Sequence, residues 1–214
     1  MPVITISRQY ASGGAEIAKL LGARLGWTVI DNEFVDLVSQ RSGLPAAEVQ
    51  RLEERVPGLL ERLAQALALA SPEVFVVTGE TPTAGPGPED EVVRVTEAVI
   101  NEAVKHDNAV LVGRGAQAYL ARRHDVLHVY IVAPREVRVA RAMDRLKVDR
   151  KEAERTVDRI DAGRRDYVKT RYGRVWDDLS NYHMVLNSDR ISYDEIVELV
   201  AAAVKMKGWR RERG

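Results

Sequence analysis

The tightest constraint on this chain lies at its start. Val3-Ile4-Thr5-Ile6 is a β-branched strand signal that runs into Ser7-Arg8-Gln9-Tyr10-Ala11-Ser12-Gly13-Gly14. A helical pattern begins at once, with Ile17, Leu20, Leu21 and Leu25 at helix spacing. Strand, glycine-containing loop and helix form the layout of a phosphate-binding turn. Loop amides and the helix N-terminus converge on one spot, where the helix dipole adds positive potential. Gly13 and Gly14 let the backbone approach an anion closely. Ser12 either caps the helix or donates its hydroxyl to a phosphate.

The loop departs from the regular motif G-x-x-x-x-G-K-[ST], which ends in a lysine and a metal-binding hydroxyl. With Gly13 as the last glycine, Gly14 falls in the lysine slot and Ala15 in the hydroxyl slot. Arg8 is the loop's one cation and would supply the missing charge from the other end. The competing reading is an ordinary strand-to-helix turn with a helix cap. A cation in a loop directly after the first strand weighs toward phosphate.

The 214 residues suit one domain with a subdomain, or two small ones. The absence of cysteine removes disulfides, thiolate nucleophiles and cysteine metal sites. Four scattered histidines have no metal-ligand spacing. No apolar run reaches the ~20 residues needed to span a membrane. The first strand starts at residue 3, too early to follow a secretory leader, and a cytoplasmic location is expected. Net charge is zero but uneven: residues 31–104 hold 5 Lys/Arg and 14 Asp/Glu, residues 131–175 hold 14 and 8. A local cationic segment in a neutral chain argues against nucleic-acid binding, which goes with a basic domain. It fits an element that closes over a small polyanion.

Further along, Gly26–Asp31 reads as a strand ending in a carboxylate. Ligands of open α/β sheets bind beyond the carboxyl ends of the strands. Asp31 would there meet a base, a sugar or a metal-bound water, or simply help to cap a helix over 33–40. Residues 45–70 carry a helical pattern broken at Pro57-Gly58, 78–89 read as a loop, and 89–105 as a helix. Asn108–Val112 reads as a buried strand ending in Gly113-Arg114-Gly115, which sets a guanidinium at the ligand edge. Val126–Val132 is the next strand. Pro134 opens a helix with Arg135, Arg138, Arg141 and Arg145, of which Arg138 and Arg141 share a face. Asp149 caps a further helix carrying Arg155, Arg159, Asp161, Arg164 and Arg165. Two cationic helices after a strand edge have the plan of a lid. Tyr182–Asn187 reads as the last strand and Ser192–Met206 as a closing amphipathic helix.

The strings ITISRQYASGGAEIAKLLGARLGW, ID, VLVGRGAQAYL and WDDLSNYHMVLNSDR resemble the cytidylate-kinase-like proteins, relatives of the P-loop nucleoside monophosphate kinases. The resemblance covers nearly the whole chain in motif order, and S-R-Q-x-x-S-G-G and V-G-R-G-A are its most specific parts. It implies that Arg8, Gln9, Ser12, Gly13 and Gly14 hold the phosphates of ATP, and that Mg2+ arrives mainly through the nucleotide. It implies that Arg114 holds the acceptor's phosphate and that Asp31 ends the strand before the acceptor-binding helices. Arg138 and Arg141 match the arginine-bearing helix before the lid. Asp161 and Arg164 look like the D-x-x-R pair that holds the acceptor nucleotide. Catalytic roles are thereby implied for Arg8, Arg138, Arg141 and Arg164. The family's lysine is replaced by Gly14, its hydroxyl slot falls at Glu16 in a gap-free alignment, and an acceptor-side arginine is replaced by Leu37.

The expected fold is a three-layer α/β P-loop kinase fold with a parallel sheet. Residues 1–31, 105–145 and 171–208 would form the core, 32–104 a helical acceptor-binding insertion, 146–170 an arginine-rich lid and 209–214 a tail. The expected activity is phosphoryl transfer from ATP to a nucleoside monophosphate, with CMP or dCMP favoured. A nucleotide-binding sensor without transfer activity, or a kinase of a non-nucleotide acceptor, is the alternative. A nicotinamide-binding reading is weak, because the first loop lacks G-x-G-x-x-G and the acidic residue expected about 20 positions on is not clearly placed.

Overall fold

The computed structural model describes residues 3–31, 108–113 and 115–207, with four helical residues, Glu97, Ile100, Asn101 and Val104. The chain divides into two compact units, Met1–Asp31 with Asp107–Gly214, and Asn32–His106. Readings made for 33–40, 45–70 and 78–89, for Arg114 and for the tail 209–214 lie outside the described residues.

The first unit is built on strands β1 (Val3–Arg8), β2 (Thr28–Asp31), β3 (Ala109–Val112), β4 (Val126–Val132) and β5 (Met184–Asn187). All pair in parallel, in the order β2-β3-β1-β4-β5. Helices α1 (Gly14–Leu25), α2 (Ala116–Tyr119), α3 (Arg135–Leu146), α4 (Arg150–Tyr172) and α5 (Tyr193–Met206) connect or follow them. This is the parallel α/β fold expected of a P-loop kinase.

β1 is buried along its whole length, as a central parallel strand must be. Its side chains alternate between faces. Ile4 and Ile6 join Val110, Val112, Leu127, Val129 and Ile131 on the face packed by α1 and α5. The opposite face is more polar. There Thr5 Oγ1 lies 2.8 Å from His128 Nδ1, and Tyr130 is stacked on Tyr182 and meets Trp176 edge-on. Among the described residues, no helix is long and apolar enough to cross a membrane.

The helix boundaries follow local chemistry. Asp149 accepts the Glu152 N–H and starts α4, as expected. Ser192 and Glu195 form a reciprocal capping box at the start of α5. α4 runs unbroken for 23 residues through the stretch expected as a lid. Its end is set by Gly173, which takes the left-handed conformation at φ 64.

Candidate functional site

Because the strands are parallel, their carboxyl ends form one edge of the sheet. β1 ends there in Arg8, beside Asp31 at the end of β2 and Gly113 just beyond β3. The loop from Gln9 to Gly13 turns over this edge. Gln9 N–H donates to Ile131 O at 3.0 Å, and the Gln9 side-chain oxygen accepts the Ala133 N–H at 3.1 Å. Ser12 N–H folds back on Gln9 O at 3.2 Å, with Ala11 at φ 60 between them. Gln9 therefore splices the loop to the end of β4.

Ser12 does not cap α1. Its hydroxyl, fully buried, has its one proton within reach of two carbonyls, Gln9 O at 2.8 Å and Ile131 O at 3.1 Å. The N-cap is Gly13, left-handed at φ 82, and it offers no side-chain cap. Ser12 lies before the left-handed turn at Gly13, and its hydroxyl faces carbonyls of the loop and of β4 instead of the helix amides. The first helical bond is Ile17 N–H to Gly13 O at 3.0 Å. The amides of Gly14, Ala15 and Glu16 precede it and have no acceptor within the helix. They form the positive end of α1.

Gly13 and Gly14 are needed for more than an anion's approach. A Cβ on Gly13 would lie 2.1 Å from Tyr193 Oη, at the start of α5. A Cβ on Gly14 would lie 2.5 Å from Arg8 Cβ. Arg8 is itself buried, at 6% exposure, and its Nη2 stands 3.8 Å from Asp31 Oδ1. At this separation the pair is an ion pair without a short hydrogen bond.

The two cationic helices sort their arginines by face. On α3, Arg138, Arg141 and Arg145 form one stripe turned to the loop. Arg138 donates to Ala133 O, to Tyr10 O and, at 2.6 Å, to Asp161 Oδ2. Arg141 donates to Ser188 Oγ and Ser188 O, and Ser188 Oγ donates to Ser12 O at 2.6 Å. Arg145 lies over the Tyr10 ring at 5.4 Å. On α4, Asp161 Oδ1 accepts the Tyr10 N–H at 2.8 Å, and Arg164 donates to Arg8 O at 2.9 Å. Arg135, Arg150 and Arg155 make exposed ion pairs with Asp158, Glu136 and Glu152.

The structure thus brings Arg8, Gln9, Ser12, Gly13, Gly14, Asp31, Arg138, Arg141, Asp161 and Arg164 to one edge of the sheet. Arg138 and Asp161 bond to each other and to the loop backbone, and both are buried. Tyr10 and Ser188 complete the arrangement and were not picked out from the sequence. Tyr10 packs with Val139, Ala142, Ala153 and Val157 between α3 and α4. Its one available signal was an aromatic ring in a loop otherwise made of small and polar residues. Ser188 had none beyond its place after the last strand.

Ala15 stands in the slot of the usual hydroxyl, and Asp31 faces Arg8. Among the described residues no group of three His, Cys, Asp or Glu side chains is placed to hold an ion.

The profile of the cytidylate kinase-like family matches residues 3–190. The chain belongs to the cytidylate kinase-like family. No curated protein matches it in sequence. Among solved structures, this cytidylate kinase-like chain is similar to an uncharacterised protein from Eubacterium ventriosum, with TM-score 0.66 and 17% identity over 96% of this chain and 99% of that one. It is similar to TT1252 from Thermus thermophilus, with TM-score 0.50 and 22% identity over 96% and 97%. A shikimate kinase from Bacteroides thetaiotaomicron gives TM-score 0.51 and 12% identity over 95% and 98%. At such identities these likenesses bear on the fold alone.

Proposed function

We propose that this cytidylate kinase-like chain transfers the γ-phosphoryl group of ATP to a nucleoside monophosphate, with CMP or dCMP the first acceptors to test. The observation that carries the reading is the N-terminus of α1, opened by a left-handed glycine and set beside Arg8 at the carboxyl edge of a parallel sheet. Family membership supports the same reading.

An acceptor oxygen attacks the γ-phosphorus, the bond from phosphorus to the β–γ bridging oxygen breaks, and ADP leaves with the electron pair. A monophosphate attacks through an oxygen already ionised, so no general base is required. This suits an edge whose carboxylates, Asp31 and Asp161, are engaged with Arg8 and Arg138. Such transfer runs on positioning and charge neutralisation. The amides of Gly14, Ala15 and Glu16 and the Arg8 guanidinium take the donor phosphates, with Gln9, Ser12 and Gly13 shaping the loop. Arg141 and Arg164, which bond to Ser188 and to the Arg8 carbonyl, would follow the transferring group, and Arg114 would hold the acceptor phosphate. Arg138 and Asp161 act through Tyr10, which they hold. Magnesium enters bound to the nucleotide.

A second reading is favoured by Gly14 and Ala15, which leave the lysine and hydroxyl slots without functional groups. A chain of that kind binds nucleotide as a signal and transfers nothing.

The test is ADP release from ATP-magnesium against CMP, dCMP, UMP, AMP, GMP and shikimate, with Arg114→Ala in parallel. Turnover on a pyrimidine monophosphate, lost in the variant, is expected. ATP binding with silence on every acceptor would replace the kinase by the sensor.

A further inference from the structure

Counting back from Gly13 along G-x-x-x-x-G-K puts the motif's first glycine at position 8. This chain has arginine there and glycine at 14, where the motif has lysine. The two departures are reciprocal: a cation for a glycine at one end of the loop, a glycine for a cation at the other. In the folded loop these ends touch. A Cβ at Gly14 would fall 2.5 Å from Arg8 Cβ, 2.8 Å from Cγ and 3.6 Å from Cδ. A side chain at 14 and the Arg8 stem therefore claim the same space.

The far end of Arg8 has a second requirement. A Cβ at Gly113 would lie 2.0 Å from Arg8 Nη1 and 2.9 Å from Cζ. Gly113 is at φ 77, so its backbone also favours glycine. The Arg8 side chain runs from one glycine to the other, and Asp31 Oδ1 stands 3.8 Å from Nη2. The backbone below it is held as well, since Arg164 donates to Arg8 O at 2.9 Å. One arginine thus joins the two most specific stretches of the sequence, S-R-Q-x-x-S-G-G and V-G-R-G-A.

We infer that Arg8 is the transposed counterpart of the P-loop lysine, a cation moved from the last position of the loop to the first, with Gly14 and Gly113 as the slot that admits it. The inference rests on the phosphotransferase reading and names the group that would do the lysine's work. Its ligand is the polyphosphate of a nucleoside triphosphate. A guanidinium differs from an ammonium in presenting a planar fork, suited to two oxygens at once.

A swap cycle tests this, with the wild type, Arg8→Gly, Gly14→Lys and the double variant Arg8→Gly/Gly14→Lys. Arg8→Gln is added because it keeps a long stem and removes the charge. Each is assayed for folding by thermal unfolding, then for binding of AMP, ADP, ATP and inorganic tripolyphosphate by calorimetry. Arg8→Gly and Arg8→Gln are expected to lose tenfold or more in affinity for ATP and tripolyphosphate and little for AMP. Gly14→Lys is expected to lose similarly, because its stem displaces Arg8. The double variant is expected to regain most of the loss.

Equal weakening of AMP, ADP and ATP in Arg8→Gln would make Arg8 a structural partner of Asp31 and overturn the inference. So would wild-type affinity in Arg8→Gln, a folded double variant no better than the single ones, or unfolding of every Arg8 variant. A wild type that binds neither ATP nor tripolyphosphate would instead overturn the phosphotransferase reading itself.

Discussion

The Asp161 carboxylate accepts the backbone N–H of Tyr10 at 2.8 Å, across 151 residues of sequence. Its other oxygen takes Arg138 at 2.6 Å. A charge pair this deeply buried offers modest net stability, because both ions were desolvated, but removing one partner strands the other. Asp161→Ala and Arg138→Met should each cost about 3–5 kcal/mol. The double replacement Arg138→Met/Asp161→Leu should cost clearly less than the sum. Urea unfolding of the four proteins measures this, and additive losses would show that the pair is not coupled.

His128 gives the protein an acid sensitivity. Burial, with lesser contributions from His183, Arg174 and Lys207, holds its imidazole down at about 4, against an ordinary value of 6.5. Between those values the unfolded chain takes up a proton that the folded one refuses. Stability contributed by the neutral ring is complete above pH 6.5 and is lost as pH falls toward 4. The gap corresponds to about 3 kcal/mol. His128→Gln keeps a partner for Thr5 and should flatten the slope of unfolding free energy over that window. An unchanged slope would assign the acid sensitivity to other groups.

Two left-handed glycines separate backbone strain from steric conflict. Gly26, at φ 68, has open space where a Cβ would stand, and Gly26→Ala should cost about 1–2 kcal/mol from conformation alone. Gly13→Ala meets Tyr193 as well and should cost more. Adding Tyr193→Ala should bring the relative cost of Gly13→Ala down to that of Gly26→Ala. If Gly13→Ala costs no more than Gly26→Ala with Tyr193 in place, the ring above Gly13 is free to move aside.

Two serines that look alike in the sequence should behave differently. Ser192 caps α5 at the surface, and Ser192→Ala should cost about 1 kcal/mol while leaving tripolyphosphate binding intact. Ser188 bonds to Ser12 O and to Arg141. Ser188→Ala should cost about 1–3 kcal/mol and weaken tripolyphosphate binding, since it frees the loop carbonyl. Equal effects on binding would remove Ser188 from the site.

The parallel sheet was legible because buried strands are nearly continuous apolar runs. Ala109–Val112 and Val126–Val132 stand in the structure essentially where those runs put them. The cap Asp149 was legible because it is local, three residues from its partner. The four-residue helix Ala116–Tyr119 was not, being too short to show a period. The two roles open to Ser12, helix cap or phosphate donor, could not be separated for a related reason. The direction of its hydroxyl depends on the left-handed turn at Gly13 and on Ile131, 119 residues away. The Arg138 stripe was visible as a face, but its partner Asp161 lies on another helix, and no spacing rule reaches that far.

The strand order has a consequence for synthesis. Val3 pairs with Ala109 and Val126, and with nothing nearer in the chain. β1, the central strand of the sheet, therefore leaves the ribosome with both edges bare. At about 5–20 residues per second, it waits roughly 6–25 s for β4 to be made. Until then the nascent chain carries a β-branched segment with neither neighbouring strand in place. A slow codon run before residue 126 would lengthen that exposure without altering a single amino acid.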